Sequence, residues 1–163
     1  MFSLFPYLFL FFILCIVTIT DLRERRIPDS AIVAAILVKI GYTVMDWVFG
    51  NSAVYQNVEN SALIKVLLQL FLDGLVVSLP VLLLTLVIEK LWQKEAMGGG
   101  DIKLLFVTGL YLGWEKNLWM LLIACMIGVV VGMVKAREKE CNEEGYFPFG
   151  PMIAIATVIC MVI

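Results

Sequence analysis

Histidine is absent from the 163 residues, and the four cysteines, Cys15, Cys125, Cys141 and Cys160, include no Cys-x-x-Cys pair. Without histidine, neither a Ser-His-Asp nor a Cys-His nucleophilic machine can be assembled. The common Cys and His spacings of a zinc site are missing too, so no metal and no cofactor is expected. Charge is also scarce: charged residues make up 16% and the net charge is −2. No basic patch is available to neutralise phosphates, which excludes nucleic acid as a partner. What fills the chain is apolar. Hydrophobic residues reach 62% and mean hydropathy is +0.99, where a soluble domain carries about 45–50% apolar residues. A chain of this size cannot hide so much apolar surface in one small core. Lipid is the expected solvent, and the expected fold class is an all-α membrane protein.

A bilayer core roughly 30 Å thick takes about 20 apolar residues per helix. Residues 2–20 form one such run without a charge, and with no basic segment ahead of it or small-residue cleavage site it reads as a retained span. Residues 30–49 form a second, interrupted by Lys39, and residues 63–88 a long third that contains Asp73. The stretch 102–114 is short and spans only by starting at or before Asp101. Residues 118–134 and 149–163 complete a count of about six transmembrane helices. Arg23, Arg25, Arg26, Lys90, Lys94, Lys103, Lys135, Arg137 and Lys139, nine of the twelve basic residues, fall on alternate loops. The positive-inside rule therefore puts those loops in the cytoplasm and both termini on the outer side.

Three unusual stretches then share the cytoplasmic face: Asp21 through Asp29, Gly98-Gly99-Gly100-Asp101 with Lys103, and Phe147 through Pro151. Asp21 and Asp101 lie at matching depth, each at a helix end. If the helices pack side by side, two close carboxyls cannot both ionise, and the pair shares a proton. Such a dyad activates water with one member and protonates a carbonyl oxygen with the other, with no need of histidine, cysteine or metal. Taken singly, Asp21 reads as the cap of a helix end or the partner of Arg23 or Arg25, and Asp101 as the cap of the next helix. The three glycines favour the chemical reading, because they offer a helix nothing and let another backbone come close to the acid. A flexible linker is the alternative. Pro148, Phe149, Gly150 and Pro151 make a rigid turn before the last span, a candidate wall beside the dyad.

Together these residues resemble the type IV prepilin peptidases, membrane aspartic proteases of the GxGD type. Asp21 with the basic residues and Ile27-Pro28-Asp29 is similar to the family's Asp–basic–Ile-Pro-Asn pattern, with Asp29 where Asn is usual. Gly98 to Asp101 with Lys103 looks like its Gly-x-Gly-Asp followed by Lys, and Pro148-Phe149-Gly150 like its Pro–aromatic–Gly stretch. The resemblance implies Asp21 and Asp101 as catalytic acids. It implies approach of substrate backbone at Gly98, Gly99, Gly100, Pro148, Phe149 and Gly150, and supporting roles for Arg23, Ile27, Pro28 and Lys103. It implies removal of a short basic leader from prepilins or pseudopilins held in the same lipid bilayer, at the cytoplasmic face of the inner membrane. With no Cys-x-x-Cys pair before span one, the chain reads as a single transmembrane peptidase domain, 1–163, lacking the family's methyltransferase extension and similar to the short tight-adherence or preflagellin enzymes.

Two charges lie within spans, Lys39 and Asp73, where an unpaired charge costs a few kcal/mol. Their opposite signs lead to the expectation that they pair. Gly128 and Gly132 on the fifth span permit close helix packing. The alternative to an enzyme is a small proton- or cation-coupled transporter using the same acids. That reading calls for essential acids near the midplane and a repeat relating two halves, and no repeat is visible.

Overall fold

A computed structural model describes residues 5–24, 27–49, 63–93, 97–137 and 149–162. Among them run six helices: α1 (Phe5–Glu24), α2 (Asp29–Val48), α3 (Leu63–Trp92), α4 (Gly99–Leu112), α5 (Trp114–Arg137) and α6 (Gly150–Val162). No strand occurs among the described residues. The helices α1, α2, α3 and α5 are long and apolar enough to cross a membrane. The other two are shorter than a bilayer. With 14 residues in α4 and 13 in α6, each extends about 20 Å at 1.5 Å per residue.

The short helices are the buried ones. Leu104, Leu105 and Val107 of α4 and Ile153 and Ala156 of α6 are at most 1% exposed and form one core with Leu10 and Val17 of α1. In contrast α3 shows one apolar side chain after another at its surface, Leu68, Leu72, Val76, Leu83 and Val87 among them. Lipid is the natural solvent for that face, so the long helices form a wall around two short ones that need not match the bilayer.

Glycine sets how closely the helices approach. A Cβ added at Gly109 of α4 would lie 2.8 Å from the Gly74 Cα of α3, so backbone meets backbone at that crossing. The reversal from α4 to α5 takes one residue, Gly113, at φ 78°, a conformation that glycine adopts without strain. The sequence reading began the fifth span at residue 118; the helix starts at Trp114 because this single glycine is the whole turn. The first span likewise does not stop at residue 20, and α1 continues through Glu24.

Lys39 and Asp73 do not form the expected pair. The Lys39 amine lies over the Tyr111 ring, 5.2 Å from its centroid, and Asp73 accepts a hydrogen bond from Gln69 at 3.1 Å. The aromatic face of α4 supplies the amine with negative potential without a second buried charge. Of the paired glycines on α5, Gly128 is in close contact with Phe149, while Gly132 has nothing within 4 Å of an added Cβ.

Candidate active site

The end of α1, the start of α4 and the start of α6 meet at one end of the bundle, and α6 lies against both other helices. Asp21 sits one turn before the end of α1 and is only 4% exposed; Asp101, third residue of α4, is buried to the same degree. The Gly150 N–H, first in α6, donates to Asp21 Oδ2 at 3.2 Å. A Cβ at Gly150 would stand 2.6 Å from that same oxygen. Only glycine lets the helix start come so near the acid. The preceding Phe149 begins the helix, its carbonyl accepting from the N–H groups of Met152 and Ile153 at 3.0 and 3.2 Å. Its ring faces α5, 3.2 Å from a Cβ built on Gly128.

The glycine run has two different uses within the fold. Gly98 is extended and caps α4 with no side-chain bond, and its carbonyl accepts from the Asp101 N–H at 3.0 Å. Gly100 is pressed against the Ile27 side chain, with 3.0 Å between the Ile27 Cβ and an added Cβ. Ile27 thus rests on the first turn of α4, and Pro28 is the N-cap of α2. Gly99 is exposed, and among the described residues nothing lies within 4 Å of an added Cβ. Lys103 Nζ reaches Asp29 Oδ1 at 2.6 Å, an exposed pair that joins the starts of α2 and α4. Arg23 is exposed. Pro148 lies outside the described residues.

Asp101 precedes the apolar stretch that begins at Ile102. Burial, and after it the negative charge of Asp21, push its pKa up to about 7. Removal from water disfavours the charged form, and a neighbouring carboxylate disfavours it again. Asp101 is not the cap of its own helix, since Gly98 holds that position. Two buried carboxyls near each other, one of them held by a backbone N–H, can share a proton and polarise a water molecule. Among the described residues no three Cys, Asp or Glu side chains group as a metal site needs.

A buried polar knot went unnoticed at the level of sequence. Thr108 donates to Asn117 Oδ1 at 2.9 Å, and Asn117 Nδ2 donates to the Leu105 carbonyl at 3.1 Å, both side chains being fully buried. It ties α4 to α5 across the Gly113 turn and fixes the helix that carries Asp101. In sequence Asn117 follows Glu115 and Lys116 and stands just before the apolar run that begins at Leu118, so it reads as one more polar residue at a span's edge. Tyr111 was missed as well. Its O–H donates to the Ala35 carbonyl at 2.8 Å and joins α4 to α2.

The model of the type IV leader peptidase family matches residues 8–133. The chain is also similar to the prepilin leader peptidase/N-methyltransferase of Stutzerimonas stutzeri, 40% identical over 63 residues, 39% of this chain and 22% of that protein. The protein of the same name in Pseudomonas aeruginosa is 35% identical over 68 residues, 42% of this chain and 23% of the relative. In Burkholderia pseudomallei the figures are 42% over 60 residues, 37% of this chain and 19% of the relative. The matched segment thus spans less than a quarter of each of these relatives. No solved structure matches the chain.

Proposed function

The chain belongs to the type IV leader peptidase family, and we propose that it is an aspartic endopeptidase that removes the short basic leader of prepilins or pilin-like proteins. One observation carries the reading. Asp21 and Asp101, eighty positions apart in sequence, are buried near each other at one end of a lipid-facing bundle, with the Gly150 N–H on the first. Among the described residues no cation pairs with either acid, and a merely structural role calls for such a partner.

The two acids divide the work. The Gly150 N–H suits the ionised form of Asp21, and Asp101 carries the shared proton. A water between them loses a proton to Asp21 as its oxygen attacks the scissile carbonyl carbon. Asp101 passes its own proton to the carbonyl oxygen, giving a neutral tetrahedral diol. In the second half Asp21 delivers the proton it took to the leaving nitrogen, the C–N bond breaks, and the diol returns a proton to Asp101. No external oxidant, metal or cofactor enters this balance.

Orientation follows from charge. The acids share their end of the bundle with the basic loops, so that end faces the cytoplasm of the inner membrane, with both termini outside. A membrane-anchored prepilin presents its leader at that same boundary. The transporter reading calls for essential acids near the membrane's midplane, whereas Asp21 and Asp101 lie together at one end of the bundle.

The test is cleavage of a purified prepilin by the protein in liposomes. Asp21→Asn and Asp101→Asn should each lower the rate by at least about 10³-fold while insertion and helix content are unchanged. Cleavage retained by either variant would refute the assignment.

A further inference from the structure

The helices α2 and α3 touch each other sparingly, although each packs on α4 between them. They leave a cleft of about 380 Å³ whose floor is Ile102 and Phe106 of α4. Its walls are apolar: Ile32, Val33 and Ile36 on one side, Leu75, Leu79 and Leu82 on the other. Ser78, the polar side chain between them, is satisfied by the Gly74 carbonyl at 2.7 Å. Charge is confined to one end, where Asp29 and Lys103 pair. The cleft takes the ridge of side chains along one helix face, not a whole helix, whose diameter is about 10 Å.

We infer that this cleft receives the apolar helix of a membrane-anchored substrate, and that the open backbone at Gly99 carries its leader across the start of α4 to the two acids. This deepens the peptidase reading and rests on it. The pattern of charge supports the occupant. A segment that is apolar along several turns and polar where it leaves the bilayer matches the walls and the ion pair together. Continuity with the acids is the second support. The cleft floor begins at Ile102, the residue after Asp101, but at about 100° per residue it faces another side of α4. A chain leaving the cleft at its charged end must therefore cross the first turn of α4 to reach Asp101. There Gly99 is exposed, with no neighbour of an added Cβ among the described residues, while Gly100 is occupied by Ile27.

The test narrows the cleft from both walls. Val33 and Leu79 are about half exposed, 52% and 48%, so Val33→Trp and Leu79→Trp place bulk in the cleft without entering the core. Each is assayed on a full-length anchored prepilin and on a soluble peptide that spans the cleavage site but lacks the apolar helix. Leu122→Trp, on the exposed face of α5, is the control. The expected result is a rise in KM of at least tenfold for the anchored substrate, with the peptide and the Leu122 variant within twofold of the unsubstituted protein. Unchanged KM for the anchored substrate in both cleft variants overturns the docking alone. If both substrates suffer equally, a photo-crosslinking residue at position 79, compared with one at 122, decides. Capture of the substrate helix at 79 and not at 122 upholds the proposal; capture of lipid alone at 79, or equal capture at both, sinks it. Failure of the unsubstituted protein to cleave either substrate removes the peptidase reading, and the docking falls with it.

Discussion

The middle of the bundle and its acid-bearing end treat buried polarity in opposite ways. In the middle, each buried polar side chain is consumed by a neighbour. Thr108 and Asn117 bond to each other and to the Leu105 carbonyl, Tyr111 bonds to Ala35, and Lys39 lies over the Tyr111 ring. At the end, Asp21 has one backbone N–H among the described residues, and Asp101 is opposed by another acid. A bundle able to build a closed polar knot from Asn117 was under no compulsion to leave two carboxyls so poorly matched. That contrast separates polar groups that hold helices together from polar groups kept for chemistry.

Asp101→Asn breaks the contrast most sharply. Cleavage should fall by at least about 10³-fold, yet the folded protein should become more stable at neutral and alkaline pH. The sign follows from the raised pKa. A carboxyl whose pKa rises from 3.8 to about 7 on folding binds its proton more tightly in the folded state. Its contribution to stability is present at acid pH and is lost as pH climbs through that interval, on the order of 4 kcal/mol at most. Thermal unfolding in detergent at pH 5 and pH 8 measures this: the unsubstituted protein should lose stability between them and the Asn variant should lose less. For cleavage, the rate should decline above about pH 7 as Asp101 gives up the proton it must donate. A rate that keeps climbing to pH 9 would contradict that role.

Gly150→Ala comes next in size. The added methyl would overlap Asp21 Oδ2, so either the carboxylate or the start of α6 must move by several tenths of an ångström. A misplacement of about 1 Å costs up to about 10²-fold, so the smaller shift here should cost on the order of tenfold, in kcat and not in KM. The comparison is Gly132→Ala, where a Cβ meets nothing and activity should stay within twofold. Equal losses from the two would mean that glycine at 150 serves helix packing in general and not the acid.

Asn117→Leu tests the other region. It removes the bonds that Asn117 makes to Thr108 and to the Leu105 carbonyl, while Thr108 keeps its own bond to that carbonyl, so the loss of stability should be about 0.5–1.5 kcal/mol, and the molecules that remain folded should cleave at the normal rate. Melting temperature and active fraction, measured on the same preparation, distinguish this from a catalytic defect.

How far the molecule could be read in advance depends on which forces were local. Helix positions were legible because a membrane helix needs its apolar run in one piece, and alternate basic loops counted the runs. The acids were legible because Asp21 and Asp101 each interrupt the polarity pattern at a helix end, beside proline or glycine with no reason to be there. What was not legible depends on neighbours far along the chain. The extension of α1 past residue 20 buries Asp21 only because Gly150, 129 positions away, packs against it. Gly100 looked like an approach for another chain, and Ile27 fills it. Lys39 looked like the partner of Asp73 because only charge can be seen in sequence. The packing of α4 on α2 brings an aromatic face to the amine, and no periodicity announces that.

Tyr111→Phe is the finest of these tests, because it removes one hydrogen bond and leaves the ring under Lys39. Interhelical hydrogen bonds inside membranes contribute about 0.6 kcal/mol on average, so the expected loss of stability is small, with cleavage unchanged within twofold. The Lys39–ring contact survives the change, and a Tyr111→Leu variant that removes it too should lose more. A tenfold fall in kcat for Tyr111→Phe at unaltered melting temperature would show that α2 and α4 relay their spacing to Asp101. The middle of the bundle would then belong to the catalytic apparatus, and the division between structural and chemical polarity would fail.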